Sequence, residues 1–288
     1  MIYIDVKVNN IVIASCNETR DAAFIEVTEV YYPIFTYYNC FNRTNNNTFG
    51  PNNMKLESRD NIVKKILAGD GIDVYDDKTK TILKDCSVGF WARDQANINY
   101  IATAGHCLRT GTSYYHLPWD PPENYSLSFI GSMTKYRLEP IDFGIIKLDA
   151  AEDDIKPEPS IRNTDSERYK QLLIEDDIAV TSNGVHLCRS GVITHVMCGY
   201  VKSLNGFTTN GIVYHENIFV VSAGSKGGDS GGPIFSFKQD LIHVSLNGIL
   251  TSGLGNFDDD INGIIGVITM SSIYFIFNDI SIVTVTPN

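Results

Sequence analysis

Apolar and polar residues alternate from Tyr3 to Ala14 around the pair Asn9-Asn10, which suits the positive φ of a tight turn, so the pattern predicts a β-hairpin. An apolar stretch near residues 24–38 follows. The segment Asn39–Asn53 then holds seven Asn in fifteen residues, with Gly50 and Pro51, and reads as a loop or linker marking a boundary. Beyond it come short runs rich in Val, Ile, Thr and aromatic residues. They include Ser87–Ala92, Tyr100–Thr103, Phe143–Leu148, Gly191–Met197, Ile212–Val221 and Pro233–Phe237, separated by Gly, Asn, Asp and Pro. This spacing predicts an antiparallel β sandwich or barrel rather than alternating strands and helices. Two stretches read as helical, Asp165–Leu173 and Ser271–Asn278. No period of 20–50 residues repeats.

Composition narrows the class. With 43% hydrophobic and 20% charged residues over 288 positions, the chain has ample material for a large core, which excludes disorder throughout. The formal charge of −11 is unevenly placed: residues 1–65 carry seven basic and seven acidic side chains, so the remainder carries the whole imbalance, 16 against 27. A field of that sign repels nucleic acid and anionic membrane, and neither is expected as a partner. No run of about 18 apolar residues occurs, so no spanning helix is expected.

The six cysteines, at 16, 40, 86, 107, 188 and 198, lack paired metal-ligand spacing, and disulfides are expected rather than a metal site. Asn17, Asn42, Asn46 and Asn124 each begin an N-glycosylation sequon, which matters only in a secretory compartment. Both features point to a secreted, extracellular protein. The first residues, MIYIDVKVNN, lack the basic, apolar and small-residue regions of a signal peptide, so the expectation is a chain missing the start of its precursor.

Candidate chemistry centres on three residues. Ser230 lies in Gly227-Gly-Asp-Ser-Gly-Gly-Pro233, where flanking glycines let the backbone take turn conformations and bring its amides close to a substrate. A serine hydroxyl is a weak nucleophile that needs an imidazole to take its proton, a carboxylate to orient that imidazole, and donors for the oxyanion. His106 ends the apolar run Ile101-Ala-Thr-Ala-Gly-His-Cys107. Asp142 sits in Ile141-Asp-Phe-Gly-Ile-Ile146, among apolar residues that would bury a carboxylate at a cost unless it is hydrogen-bonded. Each context alone is weak; the three together, in the order His, Asp, Ser, are specific.

That order and those strings resemble the chymotrypsin-fold serine proteases, and the resemblance covers roughly residues 66–287. The Gly-Asp-Ser-Gly-Gly string also fits the α/β-hydrolase pattern, but that fold places its serine first. Asp142-Phe-Gly spells a kinase metal motif without the loops that accompany it. Cys86-Ser-Val-Gly-Phe90 and Cys188-Arg-Ser-Gly191 followed by Cys198 are similar to the streptogrisin and alpha-lytic protease branch.

The resemblance implies an all-β fold of two six-stranded antiparallel β-barrels with a short C-terminal helix, over residues 66–288, with the barrels meeting near 160–180. It implies a small pro-segment with a β-hairpin and an Asn-rich linker over residues 1–65. Tyr3-Ile-Asp-Val resembles the last lobe of the branch's pro-region, which assists folding and blocks the cleft, and Lys64-Lys65 before Ile66 suggests dibasic processing. Implied disulfides are Cys86–Cys107 and Cys188–Cys198, with Cys16–Cys40 inside the pro-segment; the bridge usual near the nucleophile is absent, Gly224 and Ser225 standing there.

By the same resemblance Ser230 attacks a peptide carbonyl, His106 serves as base and then acid, and Asp142 orients His106. The amides of Gly228 and Ser230 form the oxyanion hole. Gly224, Thr251, Ser252 and Gly253 bind substrate, with Ser252 hydrogen-bonding the Asp142 carboxylate, though a shift of one residue would select Thr251 instead. Trypsin-like members carry Asp at the position of Gly224, so non-tryptic cleavage after apolar or mid-sized residues is expected. No cofactor is needed, the partners are protein or peptide substrates and the chain's own pro-segment, and the protein is expected to be a monomer. The alternative is a catalytically silent glycoprotein that keeps the protease fold for binding.

Overall fold

The computed structural model describes residues 1–16, 21–40, 64–121, 125, 127–149, 155–255 and 262–285. All four sequon asparagines and most of the Asn-rich linker lie outside the described residues.

Alternation in the chain becomes two curled sheets. The first contains β5 (Gly71–Asp76), β6 (Thr81–Ser87), β7 (Phe90–Asp94), β8 (Asn99–Thr103), β9 (Thr112–Leu117), β10 (Ser128–Arg137) and β11 (Phe143–Leu148), joined at one edge by β20 (Ile280–Ile282). Its order is β20-β7-β8-β11-β10-β9-β5-β6, antiparallel throughout. Ile72, Val74, Trp91, Ile101, Tyr114 and Ile146 fill its interior. The second unit is built from β14 (His186–Gly191), β15 (His195–Thr209), β16 (Tyr214–Val221), β17 (Pro233–Phe237), β18 (His243–Gly255) and β19 (Gly263–Thr269). These close as an antiparallel ring in the order β14-β15-β16-β19-β18-β17, six strands around Phe219, Leu250 and Val267. Closure removes the unpaired edges that a sheet of this length would expose.

A third apolar cluster lies between the two units. It joins Phe90, Phe143 and Ile145 of the first to Phe235, Ile249 and Ile268 of the second, and to Ile273 and Phe277 at the C-terminal helix α2 (Met270–Ile276). Each such side chain contributes about 1.5–3 kcal/mol when fully buried. Phe143 stands at its centre, 6.3 Å from the Phe90 ring and 4.8 Å from Phe277. The same contacts therefore fix the residue that follows Asp142.

The link between units is an added ribbon. β12 (Ile155–Arg162) pairs with β13 (Gln171–Asp177), β13 runs parallel to β18, and β4 (Lys64–Ala68) runs parallel to β12. Across it Asp70 accepts from Arg162 Nη2 at 2.8 Å and from Leu67 N at 3.0 Å, with His116 Nε2 at 3.0 Å. Burial alone would raise the Asp70 carboxyl, but the Arg162 and His116 hydrogen bonds outweigh it and hold the group below the usual carboxylate range. The N-terminal hairpin of β1 (Ile2–Asp5) and β2 (Asn10–Ser15) extends this sheet at β15, with β3 (Ile34–Tyr37) parallel to β2. Tyr3 and Val12 pack on Val220 and Ile264.

Three expectations are corrected. Asp165–Leu173 is not a helix: Asn163 N bonds Lys170 O at 3.0 Å to close a turn, and β13 follows because Leu172 and Ile174 alternate into the core with period two. Gly191–Met197 is a hairpin, not one strand, with His195 at φ 53° after the turn. A short helix, α1 (Ala22–Thr28), was not expected, and it buries no residue, so it carries no apolar stripe to read. All three disulfides, Cys16–Cys40, Cys86–Cys107 and Cys188–Cys198, are formed; the second closes 21 residues, worth about 3 kcal/mol by loop entropy. Among the described residues no helix is long and apolar enough to cross a membrane.

Asp73 of β5 lies directly opposite Asp85 of β6. Burial raises the Asp73 carboxyl, a hydrogen bond from Tyr125 at 2.8 Å lowers it, and the Asp85 carboxyl raises it again, leaving it at about 8 against an ordinary 3.8. The unfolded chain releases this proton near pH 4 while the folded chain keeps it to about pH 8, so its contribution to stability falls as pH rises between those values. Asp73→Asn, which mimics the protonated acid, is expected to melt higher than wild type at pH 8–9, with the gap closing toward pH 4 in a thermal-melt series. A gap that does not change with pH would refute this.

Candidate active site

His106 is presented by a tight turn at the end of β8. Only glycine fits at Gly105, where an added Cβ would lie 2.1 Å from the Arg137 carbonyl oxygen. The Cys86–Cys107 bridge anchors the far side of the turn, and Lys84 Nζ donates to the His106 carbonyl at 2.7 Å. The imidazole remains partly exposed, at 37%.

Asp142 is fully buried, and its carboxylate is filled with donors. Oδ1 accepts from the His106 backbone N–H at 2.7 Å; Oδ2 faces His106 Nδ1 at 2.5 Å and accepts from Thr251 Oγ1 at 2.6 Å. Burial would raise this carboxyl, yet the His106 hydrogen bond and charge, then the Thr251 hydroxyl, hold it below the usual range. An ionised Asp142 keeps the proton on His106 Nδ1 and leaves Nε2 as the acceptor, the tautomer a general base requires.

Ser230 is held against this turn by its own backbone and that of its neighbour. Its carbonyl accepts from Ser87 N at 2.8 Å, and Gly231 N donates to Leu250 O at 2.8 Å. Gly231 sits at φ 87°, and an added Cβ would fall 2.1 Å from Thr103 Oγ1 and 2.7 Å from Ala104 N, so the serine loop packs directly on the segment that leads to His106. Among the described residues no hydrogen bond joins the Ser230 hydroxyl to His106, and neither the Gly228 nor the Ser230 N–H is taken by an intramolecular acceptor. Gly228, at φ 112°, has its carbonyl tied inward by Ser87 Oγ at 2.8 Å.

A buried ion pair supports the loop from beneath. Asp229 Oδ1 accepts from Ile193 N and Thr194 N, both at 3.0 Å; Oδ2 accepts from Thr194 Oγ1 at 2.6 Å and Lys226 N at 2.8 Å. Arg189, 1% exposed, places Nη1 3.4 Å from Oδ2, donates from Nη2 to Thr194 Oγ1, and donates from Nε to the Gly224 carbonyl at 2.6 Å. Removing one partner would strand the other charge in the interior, a loss of about 3–5 kcal/mol. The pair was not anticipated, although Arg189 is visible in the Cys-Arg-Ser-Gly string; nothing in that string says what it meets.

The proposed substrate strand is β18. Thr251 and Ser252 point to opposite faces, and a register shift separates Leu250 from Ser252. Thr251 therefore bonds Asp142, while Ser252 Oγ turns toward Gly266, where an added Cβ would lie 2.6 Å away, and finds no partner among the described residues. The expected Ser252–Asp142 contact is corrected to Thr251. Gly253 lies beside Ser225, whose Oγ would be 2.0 Å from an added Cβ, and Gly224 brings no carboxylate to this wall. Among the described residues two groupings of histidine and cysteine occur, Cys86 with His106 and Cys107, and His186 with Cys188 and Cys198, but every sulfur in them is held in a disulfide.

No protein-family model matches the sequence, and no curated protein matches it. Solved structures do match. The Nocardiopsis protease NAPase has a TM-score of 0.59 at 18% identity, over 77% of this chain and 100% of that one. Thermobifida fusca Protease A has a TM-score of 0.55 at 21% identity, again over 77% and 100%. The alpha-lytic protease homolog N4 has a TM-score of 0.53 at 15% identity, over 75% and 98%. The fold of this chain is thus the chymotrypsin-like double β-barrel found in bacterial serine proteases.

Proposed function

We propose that residues 66–288 are a secreted serine endopeptidase that hydrolyses peptide bonds through an acyl-enzyme. The observation that carries this reading is the buried Asp142 carboxylate holding His106 by both its backbone and its ring, beside a glycine-framed serine. In the reaction Ser230 Oγ adds to the peptide carbonyl as its proton passes to His106 Nε2. The tetrahedral oxyanion is received by the Gly228 and Ser230 N–H groups. His106 returns the proton to the leaving amine as the C–N bond breaks, and water then repeats the sequence on the acyl-serine.

The Gly224 position favours apolar or mid-sized side chains, since no acid is available there to pair a substrate Lys or Arg. The three disulfides support an oxidising, extracellular location. Residues 1–65 fit a pro-segment docked on β15, and the expected cut after Lys65 falls inside β4, where Ile66 is fully buried and its carbonyl accepts from Trp91 Nε1 at 2.8 Å. Cleavage there needs β4 to leave β12.

A serine-directed fluorophosphonate probe followed by a peptide library tests the reading. Wild type is expected to label and to cleave after Leu, Phe or Ala in preference to Arg; Ser230→Ala is expected to lose labelling and about a millionfold in kcat. A chain that neither labels nor cleaves would favour the silent binding glycoprotein. Thr251→Ala is expected to lower kcat about tenfold with KM nearly unchanged, because Asp142 loses a donor. Ser252→Ala, which removes a hydroxyl with no partner among the described residues, should stay within about twofold. Equal losses in both would contradict the assignment of Thr251.

A further inference from the structure

We propose that His215 is a positioning residue that extends the His106–Asp142 pair through Thr251 and braces the turn carrying Asp142. The inference rests on the serine endopeptidase reading above.

His215 is the second residue of β16, on the second barrel, and its two neighbours hydrogen-bond the segment just before Asp142. Tyr214 N donates to Glu139 Oε1 at 3.0 Å, Glu216 N donates to the Pro140 carbonyl at 3.1 Å, and the His215 ring lies near the Leu138 carbonyl. On its other side, His215 Nδ1 lies 3.5 Å from Thr251 Oγ1, the hydroxyl that donates to Asp142 Oδ2 at 2.6 Å. A continuous run of polar contacts thus leads from Leu138 through His215, Thr251 and Asp142 to His106. The Thr251 hydroxyl has one hydrogen, and it goes to Asp142. The imidazole beside it occupies the space into which that hydroxyl would otherwise rotate.

The groups facing the ring are Asp142, His106, Glu139 and Thr251. Burial lowers the readiness of His215 to protonate, Asp142 raises it, His106 lowers it, and the Leu138 carbonyl and Glu139 raise it; the net shift is below the ordinary histidine value. The ring therefore takes a proton less readily than an ordinary histidine. In acid it becomes a cation that donates to Thr251 and opposes the imidazolium that His106 must form. The acid limb of kcat/KM should accordingly steepen from one proton to two as pH falls.

The test uses the secreted protein with rates normalised to fluorophosphonate-titrated sites, so that misfolded chains are not counted. His215→Phe is expected to lower kcat about tenfold with KM within about twofold, and to leave a one-proton acid limb. His215→Asn, whose amide reaches the position of Nδ1, should recover most of the rate. The double variant with Thr251→Ala should be no slower than Thr251→Ala alone. The inference is overturned by a one-proton limb in wild type, by an unchanged kcat in His215→Phe, or by additive losses in the double variant. If wild type neither labels nor cleaves, the endopeptidase reading fails first, and the two failures remain distinguishable.

Discussion

The site depends on one electrostatic requirement. A carboxylate with no solvent contact must find its full set of donors inside the protein, and Asp142 finds them on both barrels: His106 from the first, Thr251 from the second. Neither barrel alone can supply them. The apolar cluster between the barrels, centred on the neighbouring Phe143, holds the two in the register that the carboxylate needs. Packing fixes distance to within the thickness of a side chain, and the hydrogen bonds then select the rotamers.

Two other buried aspartates follow the same rule. Asp70 gathers Arg162 from β12 and His116 from β9, and Asp229 gathers Arg189 with three backbone amides. Each sits where elements far apart in sequence must meet. Asp73 is the counterexample. Its strand-mate across the pair is another acid, so it resolves its burial by keeping a proton instead of finding a cation. Ionisation state is read from the partner, not from the depth of burial.

Motifs that act through local backbone were legible in the sequence; those that act through distant partners were not. The glycine frame of Ser230 and the tight turn of His106 are short-range features with few readings, whereas the pairing of Cys86 with Cys107 followed only from the resemblance to a protease branch. Thr251 against Ser252 could not be decided, because strand alternation is known from sequence only to within one residue, and that shift exchanges the two faces. The run 165–173 looked helical in isolation, and it became a turn and a strand because Leu172 and Ile174 are needed in the core between the barrels. Arg189 and His215 carried no local signal at all; their meaning lies in Asp229, 40 residues on, and in Thr251, 36 residues on.

Arg189 also bears on how the Ser230 loop is ordered. A carboxylate beneath that loop needs a cation, and the cation could come from a newly cut chain end or from a side chain. Here it comes from a side chain already fully buried beside it, with Thr194 and Lys226 completing the cage. The same guanidinium binds the Gly224 carbonyl, so the Gly224 segment and the Ser230 loop share one anchor. Order in both therefore rests on side chains within the second barrel. The hairpin of β1 and β2 touches the neighbourhood of β15 and has no part in the internal charge balance of the Ser230 loop.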